Sequence, residues 1–143
     1  MSDELFPAFL KLRGREVVVV GGGPVAASKL AALLGAGARV TVVAPDVIDE
    51  IARQPVRIER RAFRPSDLDR AWFVVAAAPP EVNREVARAA DERRLFVNAV
   101  DDPAHASVYL GGVVRKDGVT VAVSTDGRAP AMAGLIREGL ARL

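Results

Sequence analysis

A glycine turn and a pair of aspartates are the residues whose types and spacing point to chemistry. Gly21 and Gly23 lie in a Gly-x-Gly-x-x-Ala motif that Ala26 completes, directly after the run Val17–Val20. In this motif the first glycine permits a tight turn, the second lets a pyrophosphate approach the backbone, and the alanine lets a helix pack closely on the strand. The free N–H groups of such a helix attract phosphate. The motif predicts a dinucleotide site, and a purely structural turn is the alternative.

The aspartates follow a later strand, at 95–100, whose carboxyl end carries Asn98, Asp101 and Asp102. Open parallel sheets bind ligands at the carboxyl ends of their strands. Because the glycine turn follows the carboxyl end of the first strand, these polar residues are expected at the same rim.

The elements that must position these residues alternate between strand and helix. Four consecutive valines predict a strand covered on both faces, and Pro24 suits the first turn of the helix after it. Further strands are expected at 39–44, 56–62, 71–77 and 95–100, and helices at 25–34, up to Gln54 and at 80–93. In the first helix, Ala27, Leu30, Ala31 and Leu34 are expected to form the buried stripe. The alternation predicts an α/β fold, a Rossmann-like doubly wound parallel sheet.

The last part of the chain breaks this alternation. Residues 107–114 and 119–124, joined through an Asp-Gly turn, predict a hairpin, and a final helix follows. We therefore expect an NAD-binding Rossmann domain over residues 1–112 and a hairpin-and-helix segment over 113–143 that mediates dimerisation. The apolar leader at 5–12 is expected to cover a sheet edge or a helix face.

The end of the second strand bears on the choice of cofactor. An Asp or Glu there typically receives the ribose hydroxyls of NAD, but Val43 and Ala44 occupy that place and Pro45 and Asp46 follow. Asp46 either binds ribose or caps the next helix, and its residue type favours the cap, although one side chain can do both.

Composition excludes several classes of function. The chain has 143 residues, half of them hydrophobic, with no cysteine and a formal net charge of +2. One domain with a real core is therefore expected, without disulfides or sulfur-ligated metal. The small charge does not imply nucleic acid, and without a signal peptide or an apolar run long enough to span a bilayer, a cytoplasmic protein with no membrane association is expected.

Several motifs together resemble one family. Residues 20–29 (VGGGPVAASK), 98–103 (NAVDDP) and 121–125 (VAVST) are similar, in order and spacing, to the N-terminal module of siroheme synthase. That family includes precorrin-2 dehydrogenases and proteins that are also sirohydrochlorin ferrochelatases. The likeness covers nearly the whole chain.

The resemblance implies NAD-dependent oxidation of precorrin-2 to sirohydrochlorin, with Fe(II) insertion as a further activity in which iron is substrate. It implies that Asp101 is the acid-base residue and that Pro24, Val25, Pro45 and Asp46, beside Gly21 and Gly23, contact NAD. It also implies a homodimer. No metal ligand is assigned.

The sequence departs from the family in three places. Ser28 stands where an arginine is usual, the segment 108–112 lacks the usual aromatic and proline, and the further C-terminal helices of the family do not follow. These departures concern the tetrapyrrole more than NAD.

Other polar residues have an ordinary structural role as their first interpretation. Asp102 is expected to be a turn residue before Pro103, and His105 a solvated loop residue, since no Cys or second His supports a metal site. The roles of Thr125, Lys116 and Arg128 stay open between the site and a turn or solvated charge.

Two other functions compete with the dehydrogenase. A non-catalytic NAD-binding regulatory module is one, but that class usually ends its second strand with an acidic residue. A different NAD(P) dehydrogenase is the other, but the chain has no Tyr-x-x-x-Lys pair.

Overall fold

The structure is a computed structural model that describes residues 3–124 and 130–142. The chain divides into two compact units, one of Phe9–Val108 and the other of Met1–Ala8 with Tyr109–Leu143. The sequence-based domain boundary lies instead after residue 112, with the leader assigned to the first domain.

The unit of Phe9–Val108 is built on a five-stranded parallel sheet in the order β3-β2-β1-β4-β5. Its strands are β1 Glu16–Val20, β2 Arg39–Val43, β3 Arg57–Glu59, β4 Phe73–Ala76 and β5 Val97–Ala99. Its helices are α1 Pro24–Gly35, α2 Asp49–Ala52 and α3 Pro80–Glu92, with a 3₁₀ turn at Pro65–Leu68. This strand order confirms the predicted Rossmann-like sheet, and β3 lies at the edge, where its one arginine, Arg57, is exposed.

Apolar clusters cover both faces of the sheet. Val17 and Val19 of β1 pack in one cluster with α1, whereas Val18 and Val20 pack in the other with α3. Alternate side chains of a strand point to opposite faces, which is why an unbroken valine run is needed here.

The buried stripe of α1 differs from the prediction. Ala26, Leu30 and Leu33 are buried, whereas Ala31 is exposed. The spacing alone is compatible with two neighbouring stripes. The stripe that includes Ala26 is the buried one because Ala26 faces the sheet next to the glycine turn. The spacing of Val82, Val86, Ala89 and Ala90 predicts the inward face of α3, and the last three are buried while Val82 is half-buried.

The second unit is a hairpin with a helix. Strands β6 Gly112–Lys116 and β7 Val119–Val123 pair antiparallel, and helix α4 Pro130–Ala141 contacts both. Asp117 and Gly118 have φ of +50° and +79°, the left-handed pair that a two-residue hairpin turn requires. Five residues of each strand are paired, and β6 begins at Gly112. The prediction that the hairpin begins at residue 107 is therefore wrong.

The leader at 5–12 is divided between the two units after Ala8, and most of its side chains are exposed. Phe6 is 91% exposed and Phe9 is 70% exposed, and of this segment only Leu12 is buried. Residues 3–12 form no helix or strand that could present an apolar side to the sheet. Among the described residues there is no helix long and apolar enough to cross a bilayer.

Candidate functional site

The glycine turn joins β1 to α1 in close contact with the neighbouring strands. Gly21 has φ +133°, and a Cβ on it would lie 2.7 Å from the carbonyl carbon of Ala77, after β4. The Gly21 N–H donates to the Val43 carbonyl oxygen at 3.0 Å. Glycine is therefore required here both by conformation and by space.

Gly22 has a packing role that the sequence motif did not assign. A Cβ on Gly22 would overlap the carbonyl oxygen of Asp46 and lie 3.0 Å from the Cβ of Ala44. The Ile48 N–H donates to the Gly22 carbonyl oxygen at 2.9 Å. Gly22 thus holds the segment after β2 against the turn, and the third glycine of the run was the available signal.

The N-terminus of α1 has unpaired donors. Gly23 is the N-cap residue, it forms no side-chain cap, and the first helical hydrogen bond runs from the Ala27 N–H to the Gly23 oxygen at 3.0 Å. Within the described part of the chain no carbonyl accepts the N–H groups of Gly23, Val25 or Ala26. A Cβ on Gly23 would meet no atom within 4 Å. Packing within the chain therefore does not require glycine at position 23, and the unpaired N–H groups beside it are open to an anion.

Asp46 does not cap the helix that follows it. Helix α2 begins at Asp49, its N-cap residue is Ile48, and no side chain caps it. The capping prediction is therefore wrong, because the hydrogen bond from Ile48 to Gly22 delays the helix by two residues. In the described structure the exposed carboxylate of Asp46 accepts no hydrogen bond. The backbone of Asp46 lies against Gly22 of the glycine turn.

A cavity of about 760 Å³ opens beyond the carboxyl ends of β4 and β5. Val25 of α1 lies on one side of it, Ala77 and Ala78 follow β4, and Asp101 and Asp102 follow β5. Val25, two residues after the glycine turn, therefore lines the same cavity as the two aspartates, within one unit of the fold.

Asp101 lies in a turn with a left-handed backbone, φ +57°, and its side chain is exposed at the cavity. Strand β5 ends at Ala99, one residue before the predicted end. The Val100 N–H donates to the Ala76 oxygen at 3.0 Å, and the Asp102 N–H to the Ala99 oxygen at 3.2 Å. A left-handed residue costs free energy unless its surroundings fix it, and such residues cluster at functional sites.

Asp102 and His105 form a pair that the sequence interpretation missed. The Nδ1 of His105 lies 2.7 Å from the Oδ2 of Asp102, and their side chains are 38% and 24% exposed. Both line the cavity. Asp102 is a turn residue, as expected, since its carbonyl oxygen accepts the His105 N–H at 3.2 Å, but the expectation of a solvated His105 did not include this pairing. The three-residue spacing in a turn was the available signal, since it brings the two side chains together.

Two asparagines, Asn83 and Asn98, are buried and form hydrogen bonds to the backbone. Asn83 of α3 is 4% exposed, and its Oδ1 accepts the Ala78 N–H at 3.0 Å, which fixes the loop between β4 and α3. Asn98 was expected at the rim, but it is 7% exposed inside β5, and its Nδ2 donates to the Val108 oxygen at 3.2 Å. Its Oδ1 has no partner in the described structure. Strand alternation turns Asn98 away from the cavity, so that prediction is corrected.

The remaining predicted residues are not placed in this cavity. Thr125 and Arg128 lie outside the described residues. Lys116 is an exposed residue at the end of β6, in the other unit. In the described ranges no three His, Cys, Asp or Glu side chains are grouped so as to hold a metal ion.

The strand order and the glycine turn define the class: an α/β protein with a Rossmann-type fold. Residues 8–112 match a family described as putative NAD(P)-binding. Over 98% of its length the chain is 41% identical to siroheme synthase of Photorhabdus laumondii, and over 94% it is 41% identical to siroheme synthase 2 of Klebsiella pneumoniae. It spans only 31% and 30% of those proteins.

One solved structure is matched over a larger share of its length. SirC, a precorrin-2 dehydrogenase, matches with a TM-score of 0.80 and 30% identity over 96% of this chain and 70% of that one. The chain belongs to the family described as putative NAD(P)-binding, and it is related to siroheme synthases and to SirC.

Proposed function

We propose that the chain is a dehydrogenase that oxidises precorrin-2 to sirohydrochlorin with NAD as the oxidant. The observation that carries the proposal is the cavity that Val25, at the start of α1, shares with Asp101. A nucleotide site and a carboxylate that can take a proton then face the same space. SirC is named a precorrin-2 dehydrogenase, and its likeness to this chain supports the same substrate.

The residues present fit a bound dinucleotide. The free N–H groups of Gly23, Val25 and Ala26 suit the pyrophosphate, and the space at Gly23 lets it approach. Asp46, held beside the turn by Gly22, supplies a carboxylate for the ribose hydroxyls. Gly21, Pro24 and Pro45 complete the turn and the edge that we assign to NAD.

In this proposal, precorrin-2 loses a hydride and a proton to become sirohydrochlorin, and NAD held at the glycine turn would supply the hydride acceptor. The carboxylate of Asp101 accepts the proton. Its exposure at the cavity lets it pass that proton to water after each turnover. The backbone bonds from Val100 and Asp102 to Ala76 and Ala99 keep it at the rim.

An anaerobic assay tests the proposal. The chain is incubated with precorrin-2 and NAD, and sirohydrochlorin and NADH are followed by their absorbance. We expect both products in equal amounts. Binding of NAD without any turnover would instead favour a non-catalytic NAD-binding regulatory module.

We extend the proposal to Fe(II) insertion, with iron as a substrate. Insertion into sirohydrochlorin releases two N–H protons, and the cavity holds two groups that can accept them: Asp101 and the Asp102–His105 pair. Anaerobic incubation of sirohydrochlorin with Fe(II) tests this activity, and a rate equal to that without protein would exclude it.

We also propose that the chain acts as a homodimer assembled through the unit of Met1–Ala8 and Tyr109–Leu143. Large apolar side chains of this unit are exposed, among them Phe6, Val119 and Leu135. Such surface is rarely left in water, and symmetric contact with a second copy would bury it.

A further inference from the structure

A groove of about 440 Å³ adjoins the first cavity along α3. Arg84 and His105 line both spaces, so the two are neighbours with a shared wall. The groove continues past Arg88, over apolar groups that include Ala87 and Leu95. It combines an apolar floor with a basic edge.

Arg84 and Arg88 have no partners that explain them. They lie four residues apart on α3, both are exposed, and in the described structure neither forms a hydrogen bond or an ion pair. Arg93, at the end of the same helix, instead pairs with Asp69 at 2.9 Å. In the described structure these two guanidinium groups are therefore open to a ligand, although acidic residues stand three and four positions away on the same helix.

Charge is divided between the two spaces. The first cavity is lined by the carboxylates of Asp101 and Asp102 and the groove by Arg88 and the single carboxylate of Asp91, with Arg84 in the wall that they share. A ligand with several carboxylates would be repelled by the first set and attracted by the second. The planar guanidinium also matches a carboxylate with two hydrogen bonds.

The far wall of the groove is anchored to the sheet. The Val97 N–H donates to the Ser107 Oγ at 2.8 Å, and the Ser107 N–H donates to the Val97 oxygen at 2.8 Å. The pairing of His105 with Asp102 fixes the imidazole at the junction of the two spaces. The arginines therefore face a wall of fixed position.

We propose that this groove binds carboxylate arms of the tetrapyrrole substrate, with Arg84 and Arg88 as the carboxylate ligands. The proposal rests on the proposed function. Substrate arms held in the groove would direct the macrocycle toward Asp101 in the first cavity. An apolar ring with anionic arms matches the apolar floor and basic edge.

The test uses Arg84→Gln, Arg88→Gln and the double variant, with Arg70→Gln as the matched control. Arg70 is exposed and lines neither space. For each single variant we expect the KM for precorrin-2 to rise about three- to tenfold, as loss of one partly exposed charge pair predicts. The kcat and the KM for NAD should stay within about twofold, and Arg84→Lys should restore part of the loss.

Binding of sirohydrochlorin, measured by fluorescence titration, separates this proposal from the proposed function. If the wild type fails to turn over precorrin-2 but binds sirohydrochlorin in an arginine-dependent way, the groove stands and the dehydrogenase fails. If the double variant keeps the KM and the affinity of Arg70→Gln, the groove proposal is overturned. A fall in kcat with unchanged KM would overturn it as well.

Discussion

The carboxylate of Asp46 is expected to favour NAD over NADP. The backbone of Asp46 lies against the glycine turn, where a 2′-phosphate would meet a like charge. We expect NAD to bind more tightly than NADP, and Asp46→Asn to reduce the difference about three- to tenfold, as loss of one charge contact predicts. Fluorescence titration with both nucleotides measures this. Tighter binding of NADP by the wild type would refute the assignment.

Asp102 and His105 give a second prediction for single residues. Asp102→Asn keeps the shape of the side chain but removes the carboxylate that pairs with Nδ1 of His105. We expect kcat to fall about two- to tenfold, far less than for a lost general base, because Asp101 remains. Steady-state kinetics with precorrin-2 decide. A loss as large as that of Asp101→Asn would move the base to the His105 pair.

The segment between β3 and the 3₁₀ turn is held by an ion pair between Arg61 and Asp67. Arg61 contacts Asp67 of the 3₁₀ turn with two hydrogen bonds of 2.6 and 2.9 Å, and Asp67 also accepts the Arg64 N–H at 2.8 Å. Burial raises the pKa of Asp67, but the hydrogen bonds from Arg61 and from the Arg64 backbone outweigh it and hold the pKa below its usual value. The charged form is thus favoured in the folded state.

A depressed pKa makes this contribution to stability depend on acid. It is fully present above the pKa of the unfolded chain, about 4, and is lost as the pH falls through the lower folded value. Asp67→Asn should lower the free energy of unfolding by about 1 kcal/mol at neutral pH and by less at pH 3. Urea unfolding measures it, with Asp69→Asn, at a more exposed pair, as the control. An equal difference at both pH values would contradict this.

The sequence predicts the elements well where the physics is local. The valine run, the glycine turn and the pattern of α3 locate β1, α1 and Val86 correctly because periodicity and turn chemistry act over a few residues. Burial of Ala31 and capping by Asp46 are wrong because contacts with other elements decide them. The contact of Gly22 with Asp46 depends on how distant segments of the chain meet, whereas the pairing of Asp102 with His105 is local and was missed despite its three-residue spacing.

At the scale of the whole molecule, we predict that the chain forms a homodimer. Leu135→Glu would place a charge on α4, where Leu135 is 68% exposed, and should disrupt a dimer formed through that unit. Light scattering at high concentration is expected to give twice the mass of one chain for the wild type and the single mass for the variant. Phe96→Ser, in the other unit, is the control. A monomeric wild type would refute the dimer.

The proposal that Asp101 accepts the proton is tested by comparing the wild type with Asp101→Asn in the anaerobic assay. This change keeps the size of the side chain but removes the basic oxygen. We predict sirohydrochlorin and NADH from the wild type, a rate about a hundred- to ten-thousandfold lower for the variant, and nearly equal NAD affinity for both. Near-normal turnover by Asp101→Asn, or its loss of NAD binding, would contradict the account.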